Sequence, residues 1–270
     1  MGLRATARLA ATQNYQVLAC ENDPVKQARL RKEGYPIGEL LSALPLADFV
    51  ILAVPDAVIA AVAGEIVSLL KPGAALIMLD AAAAYLGELP RRPDISQVIV
   101  HPCHPPIFTE QPTKKARRDY FGGLAFQDLL TCLMAGEEVV FQEAVEVARA
   151  VFAPIRQVHR VTVEQFAILE PAMAEIIVAT AARWMREALE EAVAQGVPRA
   201  AAESFWAGHT QIALAIVSGA EPSPFSDAAQ RAIAWGMSHY VHPGWRDIFR
   251  DSPLRQAIRD ILHPQEQENA

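Results

Sequence analysis

Two histidines stand three positions apart in "VIVHPCHPPIF", and Pro102, Pro105 and Pro106 stiffen the backbone around them. An imidazole titrates near neutrality and also ligates divalent metals, so His101 and His104 suit either metal ligation or general acid–base work. His-x-x-His outside a helix is not a metal signature in itself, and two surface histidines in a proline loop fit the same pattern. Cys103 reads as a bystander. A second stretch, "FAILEPAMAEII", supplies a carboxylate. On a helix advancing about 100° per residue, Val163, Phe166, Ala167, Ala174, Ile177 and Ala181 fall on or near the face of Glu170. A carboxylate inside such an apolar stripe must pair, bind a metal or hold a proton. Pro171 lacks an N–H and is predicted to start or kink this helix. His209, in "WAGHTQIALAI", lies in the first half of an apolar helix and reads as a satisfied core residue or a catalytic one.

Cofactor chemistry is suggested at two further places. "AVPDAV" ends a buried strand, and Pro55 with Asp56 either faces a ligand crevice or simply starts a helix. The opening, "MGLRATARLAATQNYQVLACENDP", reads as a helix to Asn14 and then a strand from Tyr15 to Cys20 that ends on Glu21. In a dinucleotide-binding βαβ unit, the last glycine of a glycine-rich turn precedes by ~20 residues an acid that bonds the ribose hydroxyls. Gly2 and Glu21 have that separation, and an acid there favours NAD over NADP. On this reading the first strand and first glycines are missing from the chain as given, so NAD is expected to bind poorly. An ordinary N-terminal helix before a strand is the alternative.

The elements that must hold these groups alternate. "ADFVILAVP", "AALIMLD" and "SQVIVHP" are continuous apolar runs, as expected of strands buried on both faces. "NDPVKQARLRKEG" and "DAVIAAVAGEIVSLLKPG" are predicted helices between strands. "LLTCLMAG" adds a further strand, "EEVVFQEAVEVARAVFA" a helix and "IRQVHRV" a last strand. This is an α/β, Rossmann-like, doubly wound pattern with a parallel sheet. From Thr162 onward the chain reads as helical. Residues 1–160 are expected to form a truncated NAD-binding domain, and 161–270 an all-helical substrate and dimerisation domain.

Composition sets the outer bounds. The 270 residues are 52% hydrophobic and 20% charged with a net charge of −7, which suits a well-filled core and implies no broad basic face for nucleic acid. The one basic run, Lys114, Lys115, Arg117 and Arg118, is a solvated loop or a clamp for an anionic substrate. Cys20, Cys103 and Cys132 show no paired spacing, which points to a reducing, cytoplasmic setting. No uninterrupted apolar run approaches the ~18 residues of a membrane span. Met1-Gly2 with Thr6 fits an acylation pattern, and the acid-free start resembles a transit peptide; both patterns are short and permissive.

The runs "HPCHPPIF", "ARRDYFGG", "TVEQFAILEPAMAE", "GHTQIALAIV" and "PFSDAA" together resemble the D-apionate oxidoisomerases, over roughly residues 1 to 250. Wider relatives are 6-phosphogluconate dehydrogenase and ketol-acid reductoisomerase, which usually dimerise through their helices. The resemblance implies an NAD-dependent oxidation of the 2-hydroxyl of a branched sugar acid, coupled to migration of a hydroxymethyl group and aided by a divalent metal. His101, His104 and Glu170 match its motif positions and are the implied metal and acid–base groups. No lysine stands near Glu170, which argues against decarboxylation. Two other readings compete: a simple NAD-dependent hydroxy-acid or semialdehyde dehydrogenase, and a non-catalytic remnant serving as a dimerisation or binding module.

Overall fold

A computed structural model describes residues 1–264. The chain divides into two units. The first comprises Met1–Ala167 together with the described residues from Ile258 onward, and the second is Ile168–Ala257.

In the first unit, helices α1 (Gly2–Thr12), α2 (Pro24–Lys32) and α3 (Leu40–Ala43) precede strand β1 (Phe49–Leu52). Helix α4 (Ile59–Ile66), β2 (Ala75–Met78), α5 (Ala82–Leu86) and β3 (Ser96–Pro102) follow, then β4 (Gln127–Ala135), α6 (Glu138–Phe152) and β5 (Ile155–Arg160). The strands lie in the order β1-β2-β3-β4-β5. β1, β2 and β3 are mutually parallel, β4 runs antiparallel to β3, and β5 is parallel to β4. Alternate residues of β2 and β3 fill two cores. Leu76, Met78 and Ile99 pack with α4, α5 and Phe166 on one face. Ala75, Ile77, Val98 and Val100 pack with Ala5 and Leu9 of α1 and with α6 on the other. Side chains alternate along a strand, so both faces must be apolar, which is why these strands read as unbroken apolar runs. The register aligns Leu52 with Met78 and Met78 with Ile99, so β1, β2 and β3 end at one edge.

The second unit begins inside one helical run. Helix α7 (Val163–Ala167) belongs to the first unit; a π-helical stretch, Ile168–Ala179, continues it into α8 (Thr180–Ala194). Helices α9 (Arg199–Val217) and α10 (Asp227–Tyr240) follow, and α11 (Asp251–Leu262) carries the chain back into the first unit. Buried hydrophobic residues in the second unit are few: Ala172, Leu189, Ala202 and Leu254.

Four expectations change. Tyr15 to Cys20 is not a strand of the sheet; Ala19 makes a single bridge to Ile37. A strand needs a neighbour's amides and carbonyls, and among the described residues β1 has a neighbour on one side only. Pro171 does not start its helix but lies inside it, because i→i+5 geometry carries the backbone past the missing N–H. The same geometry advances less than 100° per residue, so the wheel that placed Ala174 and Ala181 in a buried stripe fails, and both are exposed. Finally, Val163–Ala194 is long and apolar enough to cross a bilayer by length and composition, which a count of uninterrupted apolar residues did not register.

Candidate active site

The common edge of β1, β2 and β3 gathers the chemistry. His101 stands near the end of β3, with Nδ1 2.8 Å from the Leu79 carbonyl oxygen at the end of β2. A carbonyl only accepts, so Nδ1 carries the proton and Nε2 is the acceptor nitrogen of the neutral ring. The His101 ring meets Phe166 edge-on at 6.5 Å and His104 edge-on at 6.0 Å. His104 has a left-handed backbone, φ 58°, a strained conformation for a non-glycine residue that its proline-bounded turn holds in place. Burial of the ring pushes the His104 pKa down, and the nearby charges of His101 and Arg4 add to this. Cys103 between them is pushed up to about 11 by desolvation and by Asp128, which favours the thiol at neutral pH.

Two acids share this edge. Asp80, two residues past the end of β2, is buried and accepts from the Ala82 amide at 2.6 Å. Asp56 follows β1, and its carboxyl is raised above the usual range, chiefly by desolvation, then by Asp80, with His101 opposing. Asp80 was not singled out from the sequence. The available signal was an acid ending a strand buried on both faces, two places beyond Met78 as His101 is two places beyond Ile99. Pro55 occupies the cap position just before a short helical turn that starts at Asp56.

Gly2 opens α1 beside the end of β1: a Cβ on it would stand 3.7 Å from the Ala53 side chain. No side chain caps α1, so the amides of its first turn point outward without an intrahelical partner, which suits an anionic phosphate. On this observation the site fits a dinucleotide. Glu21 is half-buried; its carboxylate accepts from the Asp23 amide at 3.0 Å, within the turn that caps α2. The basic run Lys114, Lys115, Arg117 and Arg118 lines an open cleft of about 920 Å³ together with Asp119 and Leu124.

In the second unit, Glu170 is half-buried in the π-helical stretch. His209 is exposed rather than core: its ring stacks on Phe205 at 3.8 Å and Nδ1 bonds the Phe205 carbonyl at 2.9 Å. Among the described residues, no group of three or more His, Cys, Asp or Glu side chains is placed to hold a metal ion. Two imidazoles on their own do not make a closed cation site.

Fold and edge together define a Rossmann-like protein with an appended helical unit of the phosphogluconate-dehydrogenase kind. Accordingly, residues 109–262 match the family model "Phosphogluconate dehydrogenase (decarboxylating) C-term". The chain belongs to the D-apionate oxidoisomerase family: it is 41% identical over 263 residues to the D-apionate oxidoisomerase of Cupriavidus necator, covering 97% of this chain and 95% of that one. A solved structure from the same species, a semialdehyde dehydrogenase NAD-binding protein in complex with calcium and NAD, superposes with a TM-score of 0.92 at 40% identity, covering 96% of this chain and 95% of that one. A ketol-acid reductoisomerase from an uncultured archaean shares the fold, with a TM-score of 0.67 at 17% identity over 100% of this chain and 81% of that one.

Proposed function

We propose that this chain is an NAD-dependent oxidoisomerase of a branched sugar acid, converting D-apionate to 3-oxo-isoapionate. The observation that carries the reading is the place of His101, oriented by the Leu79 carbonyl at the ligand-binding edge of the sheet, in a chain of this family. NAD, when bound, accepts the hydride from the carbon bearing the 2-hydroxyl. His101 takes the hydroxyl proton at Nε2, leaving a ketone at C2. A second base removes the proton of the tertiary alcohol at C3. The hydroxymethyl carbon then moves with its bonding pair from C3 to C2, the C2 oxygen gains a proton, and C3 becomes the ketone. His104, whose ring lies 6.0 Å from that of His101, is the candidate for that second base, and Glu170 keeps only the role that its place in "ILEPA" implies by resemblance. His209 is assigned no step, since Nδ1 is engaged by its own helix.

On the cofactor side, Gly2 and the open amides of α1 take the pyrophosphate, Glu21 the ribose hydroxyls, and Pro55 with Asp56 the wall of the crevice. The basic cleft draws the substrate carboxylate toward the edge. A divalent cation on His101 and His104 is a further proposal; it would supply polarisation of the two substrate oxygens, and the steps above do not depend on it. A homodimer is also proposed, with a second copy covering the helical unit, where Trp184, Phe205, Trp235 and Tyr240 are more than half exposed. The cytoplasm is the proposed location, in keeping with three free cysteines.

The test is incubation with D-apionate and NAD, following NADH by absorbance and the carbon skeleton by NMR. Formation of 3-oxo-isoapionate is expected. A 2-oxo acid with its branch unmoved makes the protein a simple dehydrogenase, and no NADH at saturating NAD makes it a binding module. Full activity after exhaustive chelation removes the metal.

A further inference from the structure

The basic run carries more positive charge than the ligands named above call for. Lys114, Lys115, Arg117 and Arg118 are all exposed and line one cleft of about 920 Å³. The chain as a whole has a net charge of −7, so this cluster stands against the charge of the molecule. Two acids lie close, and neither cancels it. Asp119 lines the cleft, but its Oδ2 is engaged by the backbone, accepting from the Leu124 amide at 2.7 Å and from the Ala125 amide at 3.1 Å. Glu110 stands 3.7 Å from Arg117 with its side chain 95% exposed, where water screens the pair. Lys114, Lys115 and Arg118 have no acidic partner among the described residues.

The backbone under these side chains is built rather than loose. Ala116, in the middle of the run, is buried, and its amide donates to Thr113 Oγ1 at 3.0 Å. The Arg117 amide donates to the Thr113 carbonyl at 3.1 Å, Arg118 to Lys115 at 3.1 Å and Asp119 to Ala116 at 3.0 Å. Buried Gln111 ties the loop further on, accepting from the Phe126 amide at 2.7 Å and donating to the Phe126 carbonyl at 3.2 Å. None of these bonds uses a cationic side chain of the run. Like charges are thus held together at a cost that a bound anion offsets. A sugar acid brings one carboxylate, and the pyrophosphate of the dinucleotide has its place at α1. A phosphate group concentrates about two charges and three acceptor oxygens on one atom, which suits guanidinium forks beside mobile ammonium groups. We propose that the cleft, beyond steering the substrate carboxylate, seats a phosphate group on a small ligand other than the two reactants, held by Lys114, Lys115 and Arg118 with Arg117 beside them. None of its lining residues belongs to the His101 edge, and the seat does not depend on the reaction proposed above.

The experiment is calorimetry on the full chain in metal-free buffer, without NAD or sugar acid, with inorganic pyrophosphate, citrate and acetate as probes at one pH. Pyrophosphate is expected to bind one site, ~10-fold tighter than citrate and ~100-fold tighter than acetate. Its affinity should fall as ionic strength rises from ~0.01 to ~0.15 M, where the Debye length shrinks from about 30 to about 8 Å. Lys114→Gln combined with Lys115→Gln, and separately Arg118→Gln, should each weaken binding by ~10-fold or more. The melting temperature should not change, since the bonds that hold the loop use none of these side chains. Pyrophosphate binding that persists at full strength in both variants belongs to the open amides of α1 and overturns the cleft site. Citrate as tight as pyrophosphate overturns the phosphate assignment, and acetate as tight as both leaves the cleft with steering alone. With neither reactant present, a protein that fails to turn over sugar acids overturns the proposed reaction and leaves the seat standing.

Discussion

His101 is oriented by a backbone carbonyl, and that choice defines what it can do. A carbonyl acceptor at Nδ1 holds the ring and its tautomer, with Nε2 as the acceptor nitrogen. His101→Ala is therefore expected to lower kcat by ~10²–10⁴-fold with little change in NAD affinity, measured by steady-state kinetics and calorimetry. His101 and His104 were legible because they directly follow a continuous apolar run, and such a run must end at a sheet edge. Long-range contacts were not legible. Arg4 and Phe121 are 117 positions apart, and no local pattern in "MGLRATARL" or "RRDYFGG" announces that one bonds the other.

The elements that local chemistry defines were readable in advance. Thr162 and Gln165 form the reciprocal cap their spacing suggests: the Thr162 amide donates to Gln165 Oε1 at 3.0 Å and the Gln165 amide to Thr162 Oγ1 at 3.2 Å. Thr162→Ala should cost ~0.5–2 kcal/mol in denaturant unfolding. The elements that fail are those decided at a distance. Tyr15–Cys20 has strand composition, yet strand character depends on a neighbour. A wheel of fixed pitch put Ala174 and Ala181 on the buried face of Glu170, and the π stretch around Pro171 changes the pitch. β4 and β5 are joined by a contact of the same non-local kind. Asp128 on β4 bonds Arg156 at 3.1 and 3.2 Å and His159 at 3.2 Å, both on β5. The Arg156 hydrogen bond, then His159, holds the Asp128 carboxyl below the usual carboxylate range. A lowered folded-state pKa contributes stability above the unfolded pKa of ~3.9 and loses it as pH falls through the depressed value. Asp128→Asn should accordingly lower Tm at pH 7 and leave it unchanged near pH 2, as read by calorimetric melts at both.

At the scale of the molecule, the second unit leaves large hydrophobic side chains at its surface. The second unit buries few apolar residues while Phe205 is 68% exposed and Trp235 53% exposed. Isolated helices gain most of their stability from packing, so surface of this kind is stable when covered. Trp235→Asp is expected to shift sedimentation velocity from dimer toward monomer and to lower Tm, while a wild type that sediments as a monomer at micromolar concentration would refute the proposed assembly.

The one-sided pairing of β1 has a practical consequence. Phe49, Val50, Ile51 and Leu52 carry no charge and no proline, and their outer row of amides and carbonyls is an open template for another chain's backbone. The shelf life of purified protein is expected to be set at this edge, through growth of β-rich aggregates whose rate rises with concentration. Thioflavin-positive aggregation on warming should therefore accelerate steeply with protein concentration.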